Sequence, residues 1–177
     1  VRGCGTGNIQ SMLETGNLGG KCADLNALFV GMARSLGIPA REAYGIRVAD
    51  SARGYKSLGK SGDITRAQHC RAEFFANGLG WVPVDPADVR KVILEEEGGK
   101  REDDPKVLAA RRMLFGAWEM NWIAWNTAHD VRLANASKGV LGFLMYPQAE
   151  TSEGRLDALD PDNFRYTITS RELTPAT

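Results

Sequence analysis

Apolar residues recur at helical spacing in one early stretch of the chain. Between positions 22 and 36 the large apolar side chains are three, four, seven and eleven positions apart from the first, namely Leu25, Leu28, Phe29, Met32 and Leu36. Gly37 and Pro39 end this pattern, as residues that terminate helices do. The stretch predicts a buried amphipathic helix whose first turn carries Cys22.

Runs of aromatic and β-branched residues predict strands. Residues 40–49 have this pattern, and residues 69–76 and 81–85 form two further runs, separated by Asn77 to Gly80. If the connection has four residues, Ala76 faces Trp81, and His69 and Asp85 point to opposite faces. If it is a three-residue turn or contains a bulge, both lie on one face. The residues alone leave this register open.

Weaker patterns suggest the other elements. We expect short helices at 8–14, 88–96 and 106–114, exposed connections at 50–66 and 95–105, and edge strands at 142–146 and 164–169. Further strands that finish the sheet are expected around Trp118, Trp122, Trp125, Ile123, Val131 and Leu133. The whole chain, 1–177, is expected to form one domain, with a motif core at 19–88 and a remainder, 89–177, that completes the sheet and adds peripheral elements.

Composition narrows the class of protein. Of 177 residues, 43% are hydrophobic and 25% are charged, which excludes a disordered or disulfide-scaffold chain as the main description. The 22 Lys and Arg residues balance 22 Asp and Glu residues, so we expect no nucleic-acid partner. No apolar run is long enough to span a membrane.

The chain begins with Val1 rather than Met, so we expect that an upstream segment exists and that it could hold an export signal. Because such a segment would lie near Cys22 in sequence, its removal could also regulate the site. Compartment and oligomeric state stay open.

The three cysteines, Cys4, Cys22 and Cys70, include no CxxC pair, which argues against a disulfide framework and a closed zinc site. A Cys4–Cys70 disulfide stays open. A thiol in the first turn of a helix lies among unpaired N–H groups, which favour the thiolate. A nucleophilic thiol also needs a base, and the chain has only His69 and His129. In the even hairpin register Asp85 would orient His69, which would take the proton of Cys22.

Three motifs then resemble a known family. They are Gly20-Lys21-Cys22-Ala23-Asp24, the run from Ala33 to Arg41, and His69 with Glu73 followed by Gly80-Trp81-Val82-Pro83-Val84-Asp85-Pro86. Their order and spacing resemble the core of the transglutaminase-like superfamily of papain-like thiol enzymes, including its bacterial members.

This resemblance implies an α+β, papain-like fold in which the Cys22 helix packs on an antiparallel sheet. It implies that Cys22 is the nucleophile, His69 the base and Asp85 the orienting acid, and that the hairpin has the even register. The family often has an aromatic residue where Arg71 stands here, so we expect Arg71 to bring a cation near a substrate cleft.

An oxyanion donor besides the backbone N–H of Cys22 would complete such a site. Asn17 is a candidate by its position, as are Gln10 and Gln68.

Other chemistry is not supported by the sequence. The run from Thr15 to Cys22 lacks the first Gly and the final Ser or Thr of a phosphate loop, and Gly3 to Gly7 lacks the dinucleotide spacing. His129-Asp130 has no carboxylate cluster around it. We expect no cofactor and no metal.

The predicted activity is attack of Cys22 on a peptide or protein amide, either a peptide bond or a glutamine side chain, through a thioester. Release to water gives a cysteine peptidase or amidase and is slightly favoured; release to an amine gives a transglutaminase. The alternative from a different class is a non-catalytic module that binds a peptide or glycan on the same scaffold.

Overall fold

A computed structural model describes residues 1–173 of the chain. It contains four α-helices, α1 to α4, at Ile9–Thr15, Cys22–Ser35, Pro86–Glu95 and Pro105–Met113. Six strands, β1 to β6, lie at Ala40–Arg47, Gln68–Ala76, Gly80–Val84, Trp122–Asn126, His129–Val131 and Leu141–Phe143. The fold is α+β, as predicted.

The central sheet is antiparallel, with four strands in the order β3-β2-β1-β4. Strands β1 and β2 pair from Ala40 with Phe74 to Ile46 with Gln68, so Gly45 faces His69 across the ladder. Strand β4 pairs with β1 at the other side, which confirms that the tryptophan-rich segment supplies a sheet strand. Strands β5 and β6 form a separate two-stranded sheet.

The hairpin between β2 and β3 has the even register. Ala76 pairs with Gly80 across a three-residue turn, and Ala72 pairs with Val84. Gly78 and Gly80 have φ angles of 81° and 82°, a left-handed conformation that glycine adopts without strain. The residue after β3, Asp85, consequently falls on the same face as Arg71 and His69.

The predicted buried face of α2 is wrong. Met32 and Leu36 are 54% and 77% exposed, and the residues that the helix buries are mostly small: Ala23, Asp24, Asn26, Ala27, Val30 and Ala33. Small side chains let the helix axis approach β1 and β2 closely, and Val30 and Ala33 pack there with Ala40, Ala72 and Val84. Met32 and Leu36 are therefore turned away from the sheet, whereas Phe29 of the predicted face does pack against this cluster and against Phe74.

The glycine-rich N-terminal segment wraps around one buried carboxylate. Asp24 accepts hydrogen bonds from the backbone N–H groups of Thr6 at 2.9 Å, Gly7 at 3.0 Å and Lys21 at 3.0 Å. A Cβ atom at Gly5 would lie 2.0 Å from the Asp24 side chain, and one at Gly20 would lie 2.4 Å from it. Only glycine fits at these positions, so the segment is held against the start of α2.

One prediction about the C-terminal segment needs correction. Residues 164–169 form no regular strand, and only Thr169 bridges to Asp63. The last four residues of the predicted single domain lie outside the described part.

The disulfide that the sequence left open is not formed. All three cysteines are free; the Cys4 thiol donates to the Gln68 carbonyl, and Cys70 lies in the core.

In residues 1–173 no helix has the length and apolar character that crossing a membrane requires.

Candidate active site

Cys22 is the first residue of α2, and its side chain is half-buried at the floor of a cleft. The Cys4 carbonyl accepts a 2.8 Å hydrogen bond from the backbone N–H of Ala23, so the N-terminal segment caps this helix beside the thiol. The cleft has a volume of about 1050 Å³, and its lining includes Cys4, Cys22, Gln68, His69, Asp88 and Tyr146. We call it the thiol cleft.

His69 and Asp85 form a buried pair next to this thiol. The Nε2 atom of His69 lies 2.7 Å from Oδ2 of Asp85, and both side chains are almost completely buried. Since Nε2 is engaged by Asp85, Nδ1 is the ring nitrogen left for a further contact, and His69 lowers the pKa of the Cys22 thiol. Cys22 and His69 line the same cleft, and Asp85 lies directly behind His69.

A second carboxylate, which the sequence reading did not single out, completes this cluster. Asp88 Oδ1 lies 3.4 Å from Nε2 of His69 and accepts a 2.5 Å hydrogen bond from Arg47. Asp85 is the N-cap of α3 and its Oδ1 atom accepts from the backbone N–H of Asp88 at 3.0 Å. The first turn of α3 thus places both carboxylates against one imidazole.

Arg71 is not at the surface of the cleft, contrary to expectation. It is 1% exposed, and its Nη1 atom donates to the Glu119 carbonyl at 2.8 Å. Its Nε atom lies 3.4 Å from Oδ2 of Asp85, and the guanidinium lies 4.9 Å from the Trp122 ring centre. Because β2 alternates, Arg71 shares the face of His69 but lies deeper, behind Asp85, where it balances buried negative charge rather than contacting a substrate.

Of the three candidate oxyanion donors, the structure places one at the cleft. Asn17 is exposed, and its Oδ1 atom accepts from the backbone N–H of Gly19 at 3.1 Å, which makes it a turn residue outside the cleft. Gln10 is exposed on α1 and bonds to Glu14. Gln68 alone of the three lines the thiol cleft, and it donates to the Thr65 carbonyl at 3.0 Å.

The environment of His69 favours its charged form. Burial and the positive charge of Arg47 lower the pKa of His69, but the charges of Asp88 and Asp85 and the Asp85 hydrogen bond outweigh them and raise it to about 9. Burial alone would raise the pKa of Asp88, yet His69 and Arg47 hold it below the ordinary value. An imidazolium flanked by carboxylates is the result.

The two other cysteines lie on either side of Cys22. The neighbouring Cys4 and Cys70 thiols, together with His69, lower the pKa of Cys22 well below that of an ordinary thiol despite its burial. The proximity of Cys22 and burial raise the pKa values of Cys4 and Cys70. Of the three thiols, Cys22 is therefore the one whose thiolate form is favoured.

The ligand atoms of His69, Asp85 and Asp88 lie close enough together to hold a cation. Both carboxylates already face guanidinium groups, since Arg47 donates to Asp88 and Arg71 lies beside Asp85. These two guanidinium groups already balance the negative charge of the carboxylates, as a bound cation would. The cluster is therefore described as a network of ion pairs.

Comparisons with known proteins bear on this arrangement. Residues 1–86 match the family model of the transglutaminase-like superfamily. The matching segment holds Cys22, His69 and Asp85.

One relative covers nearly the whole chain. It is a protein of Haemophilus influenzae described as uncharacterized, 42% identical over 183 residues that span 98% of this chain and 49% of the relative. The chain thus spans about half the length of this relative. No solved structure matches the chain.

Proposed function

We propose that this protein performs thiol-dependent acyl chemistry on amides of peptides or proteins. The observation that carries the proposal is the 2.7 Å contact between His69 and Asp85 beside a thiol whose pKa is lowered, all at one cleft. A thiolate paired with an oriented imidazolium is the form that attacks amide carbonyls. The match of residues 1–86 to a superfamily of thiol enzymes supports the same proposal.

In the proposed reaction Cys22 attacks the carbonyl carbon, and a C–S bond forms as the carbonyl π electrons move to oxygen. His69 gives its proton to the departing nitrogen, the C–N bond breaks, and a thioester remains. Water or an amine then attacks the thioester, His69 takes the proton of the incoming group, and the thiolate leaves. Asp85 holds the ring so that one nitrogen always faces the reacting atoms.

The oxyanion is assigned first to the backbone N–H of Cys22. This group opens α2, where the partial positive charge of the helix lies, and no carbonyl of residues 1–173 takes its hydrogen bond. Gln68 is the proposed second donor, because its side-chain amide lines the same cleft.

Hydrolysis remains the favoured outcome over amine transfer, since the thiol cleft is wide and admits water. Whether the thioester passes to an amine is read directly by offering a glutamine-containing peptide with and without an excess of a primary amine. Conversion of Gln to Glu in both cases supports hydrolysis, while a covalent amine adduct replaces that assignment with transfer.

The proposal is tested by iodoacetamide labelling across pH, read by mass spectrometry at each cysteine. Cys22 is expected to react rapidly well below pH 8.5, whereas the buried Cys4 and Cys70 do not. In His69→Ala the rate at Cys22 at about pH 6 is expected to fall by about 10²-fold, and His129→Ala is the matched control. A slow Cys22 in the unaltered protein would leave the non-catalytic binding module as the working hypothesis.

A further inference from the structure

The charges that line the thiol cleft are unbalanced although the chain as a whole is neutral. Equal numbers of basic and acidic residues, 22 of each, occur in the sequence. Cations outnumber acids among the charged residues that line the cleft. The cations are Arg2, Lys21, Arg47, Lys60, Arg66, Arg90, Lys91 and Arg165, and the acids are Asp63, Asp88 and Glu95. Because the chain as a whole is neutral, this excess of positive charge is local to the cleft.

Ion pairs do not cancel the excess. Arg47 is paired with Asp88, and Lys91 lies 3.0 Å from Glu95 on the same helix. Asp63, the third acid of the lining, forms no direct ion pair in the described residues, but its charge interacts with Lys60 and Arg66 and offsets one of the remaining cations. Arg2 is paired with Asp157, outside the cleft lining. Within residues 1–173 no carboxylate forms an ion pair with the five cations that remain, Lys21, Lys60, Arg66, Arg90 and Arg165.

These five side chains come from separate parts of the fold. Lys21 directly precedes Cys22, Lys60 and Arg66 lie between β1 and β2, Arg90 lies on α3, and Arg165 belongs to the C-terminal segment. All are exposed, so they keep mobile, hydrated charges around the opening. A cleft of about 1050 Å³ holds several residues of an extended peptide, and cations on different walls would face its side chains on more than one side.

We propose that the thiol cleft selects acidic peptide segments, in which Asp or Glu side chains flank the amide that Cys22 attacks. This inference rests on the proposed function and adds its substrate class. Carboxylates of the segment pair with Arg66, Arg90 and Arg165 at the rim while the reacting carbonyl reaches the floor. Fixed cations in a concave site raise the local concentration of anions and therefore speed their association. A thiolate attacks a carbonyl carbon, and a peptide carries an amide carbonyl beside each of its carboxylates, whereas the phosphodiester backbone of a nucleic acid carries none; a peptide is therefore favoured over a nucleic acid.

The first test compares a negatively charged with a neutral alkylating reagent, iodoacetate with iodoacetamide. The ratio of their rates at Cys22, divided by the same ratio for a small free thiol, measures the field at the sulfur. We expect the normalised ratio to exceed one and to fall about threefold to tenfold in Arg66→Gln/Arg90→Gln/Arg165→Gln. It is also expected to fall at high ionic strength.

The matched control is Arg111→Gln/Arg112→Gln, which removes exposed arginines of α4 that do not line the cleft. This variant should keep the ratio of the unaltered protein. An unchanged ratio in the triple variant, or an equal fall in the control, overturns the inference.

A binding measurement separates this inference from the proposed function. Cys22→Ala is titrated with two peptides that carry an uncharged dye and differ only in having Glu or Gln around a central glutamine. Tighter binding of the Glu peptide, lost in the arginine variant, supports acidic selectivity even if Cys22 proves unreactive. Equal binding overturns it even if Cys22 is a nucleophile. Displacement of the Glu peptide by a single-stranded oligonucleotide at a lower concentration than by its own unlabelled form would overturn it in favour of nucleic-acid binding.

Discussion

The two histidines of this chain lie on opposite sides of the central sheet, and each has a carboxylate beside it. His69 lies 2.7 Å from Asp85 in the buried cluster at the thiol cleft, and His129 lies 3.5 Å from Glu42 on the other face. The pKa of His69 is raised to about 9, whereas burial and the charge of Arg34 lower that of His129. An imidazole beside a carboxyl group is thus favoured in its charged form at His69 and in its neutral form at His129.

The number and state of the carboxylates explain the difference. His69 faces both Asp85 and Asp88, and the guanidinium groups of Arg47 and Arg71 lie beside these carboxylates. They help to hold the pKa of Asp88 below its ordinary value, although burial and the charge of Asp88 raise the pKa of Asp85. Glu42 has no such partner: its Oε1 atom has no hydrogen bond, and burial raises its pKa to about 7. A carboxyl group that stays protonated near neutral pH does not stabilise an imidazolium. A buried charged site therefore needs compensating charges and hydrogen bonds around its carboxylates.

The sharpest test of this comparison is an NMR titration of the two imidazoles. The resonance of His69 is expected to titrate near pH 9 and that of His129 below 6.5, a separation of at least 2.5 pH units that corresponds to about 3 kcal/mol. Asp85→Asn removes a negative charge but keeps an oxygen for the α3 cap, so only the His69 midpoint should fall. His129→Gln assigns the resonances. Two midpoints within one unit of each other would contradict the comparison.

Removing the buried cation on the His69 side is expected to cost nearly as much free energy. Arg47→Met leaves Asp88 buried without its guanidinium, so the free energy of unfolding should fall by about 3 kcal/mol. The matched change on the other face is Arg34→Met. Arg34 is exposed and donates to the Ala40 carbonyl at 2.8 Å, so about 1 kcal/mol or less is expected. Urea unfolding measures both, and equal losses would show that the two faces do not differ in this respect.

Glu42→Gln is expected to stabilise the protein at alkaline pH by about 1–2 kcal/mol. The folded pKa of Glu42 is about 7 against an ordinary value of 4.5, so its stabilising contribution is present below pH 4.5 and lost as the pH rises through 7. Glutamine mimics the protonated form and removes this loss. Unfolding free energies at about pH 5 and pH 8 measure it, with the exposed Glu97→Gln as control. A variant no more stable than the unaltered protein at pH 8 would contradict the assignment.

The smallest effect is expected for His129→Gln. Because this side chain is 37% exposed and neutral at neutral pH, the variant should change the unfolding free energy by about 0.5 kcal/mol or less. Its labelling rate at Cys22 should stay within about twofold of the unaltered protein. A large loss of labelling would place His129 in the thiol site after all.

Much of the region around the thiol cleft was predictable because its signals are local. Gly37 and Pro39 end α2, Cys22 opens it, and the hairpin length restricts His69 and Asp85 to two relations. Asp88 was missed although a signal existed: Asp85 before Pro86, with Asp88 in the first turn, is an N-cap pattern that aims both carboxylates one way. The signal for Arg47 was weaker. It lies on β1 two residues after Gly45, the partner of His69, and so shares the face of His69.

The wrong predictions concern side chains whose burial depends on contacts in the tertiary structure. Leucine and methionine at helical spacing on α2 resembled a core stripe, but the face that packs on the sheet is mostly of small residues, and of the predicted stripe Phe29 packs there. Arg71 looked like a cleft residue by its distance from His69 along the chain, yet Glu119 and Trp122, about fifty residues further on, enclose it. Asn17 was close to Cys22 in sequence but its side chain closes its own turn.

By itself the sequence determined the helix that begins at Cys22, and its motifs, through their resemblance to a family, indicated the α+β class and Cys22, His69 and Asp85 as candidate site residues. The helix follows from short-range periodicity and the indicated class from motif order, which a linear chain records. Only the tertiary structure decided the even hairpin register, the Arg47 and Arg71 network, the flanking Cys4 and Cys70 thiols and the cationic rim. The physical reason is that charge and burial depend on neighbours in space, and these neighbours come from segments far apart in the chain.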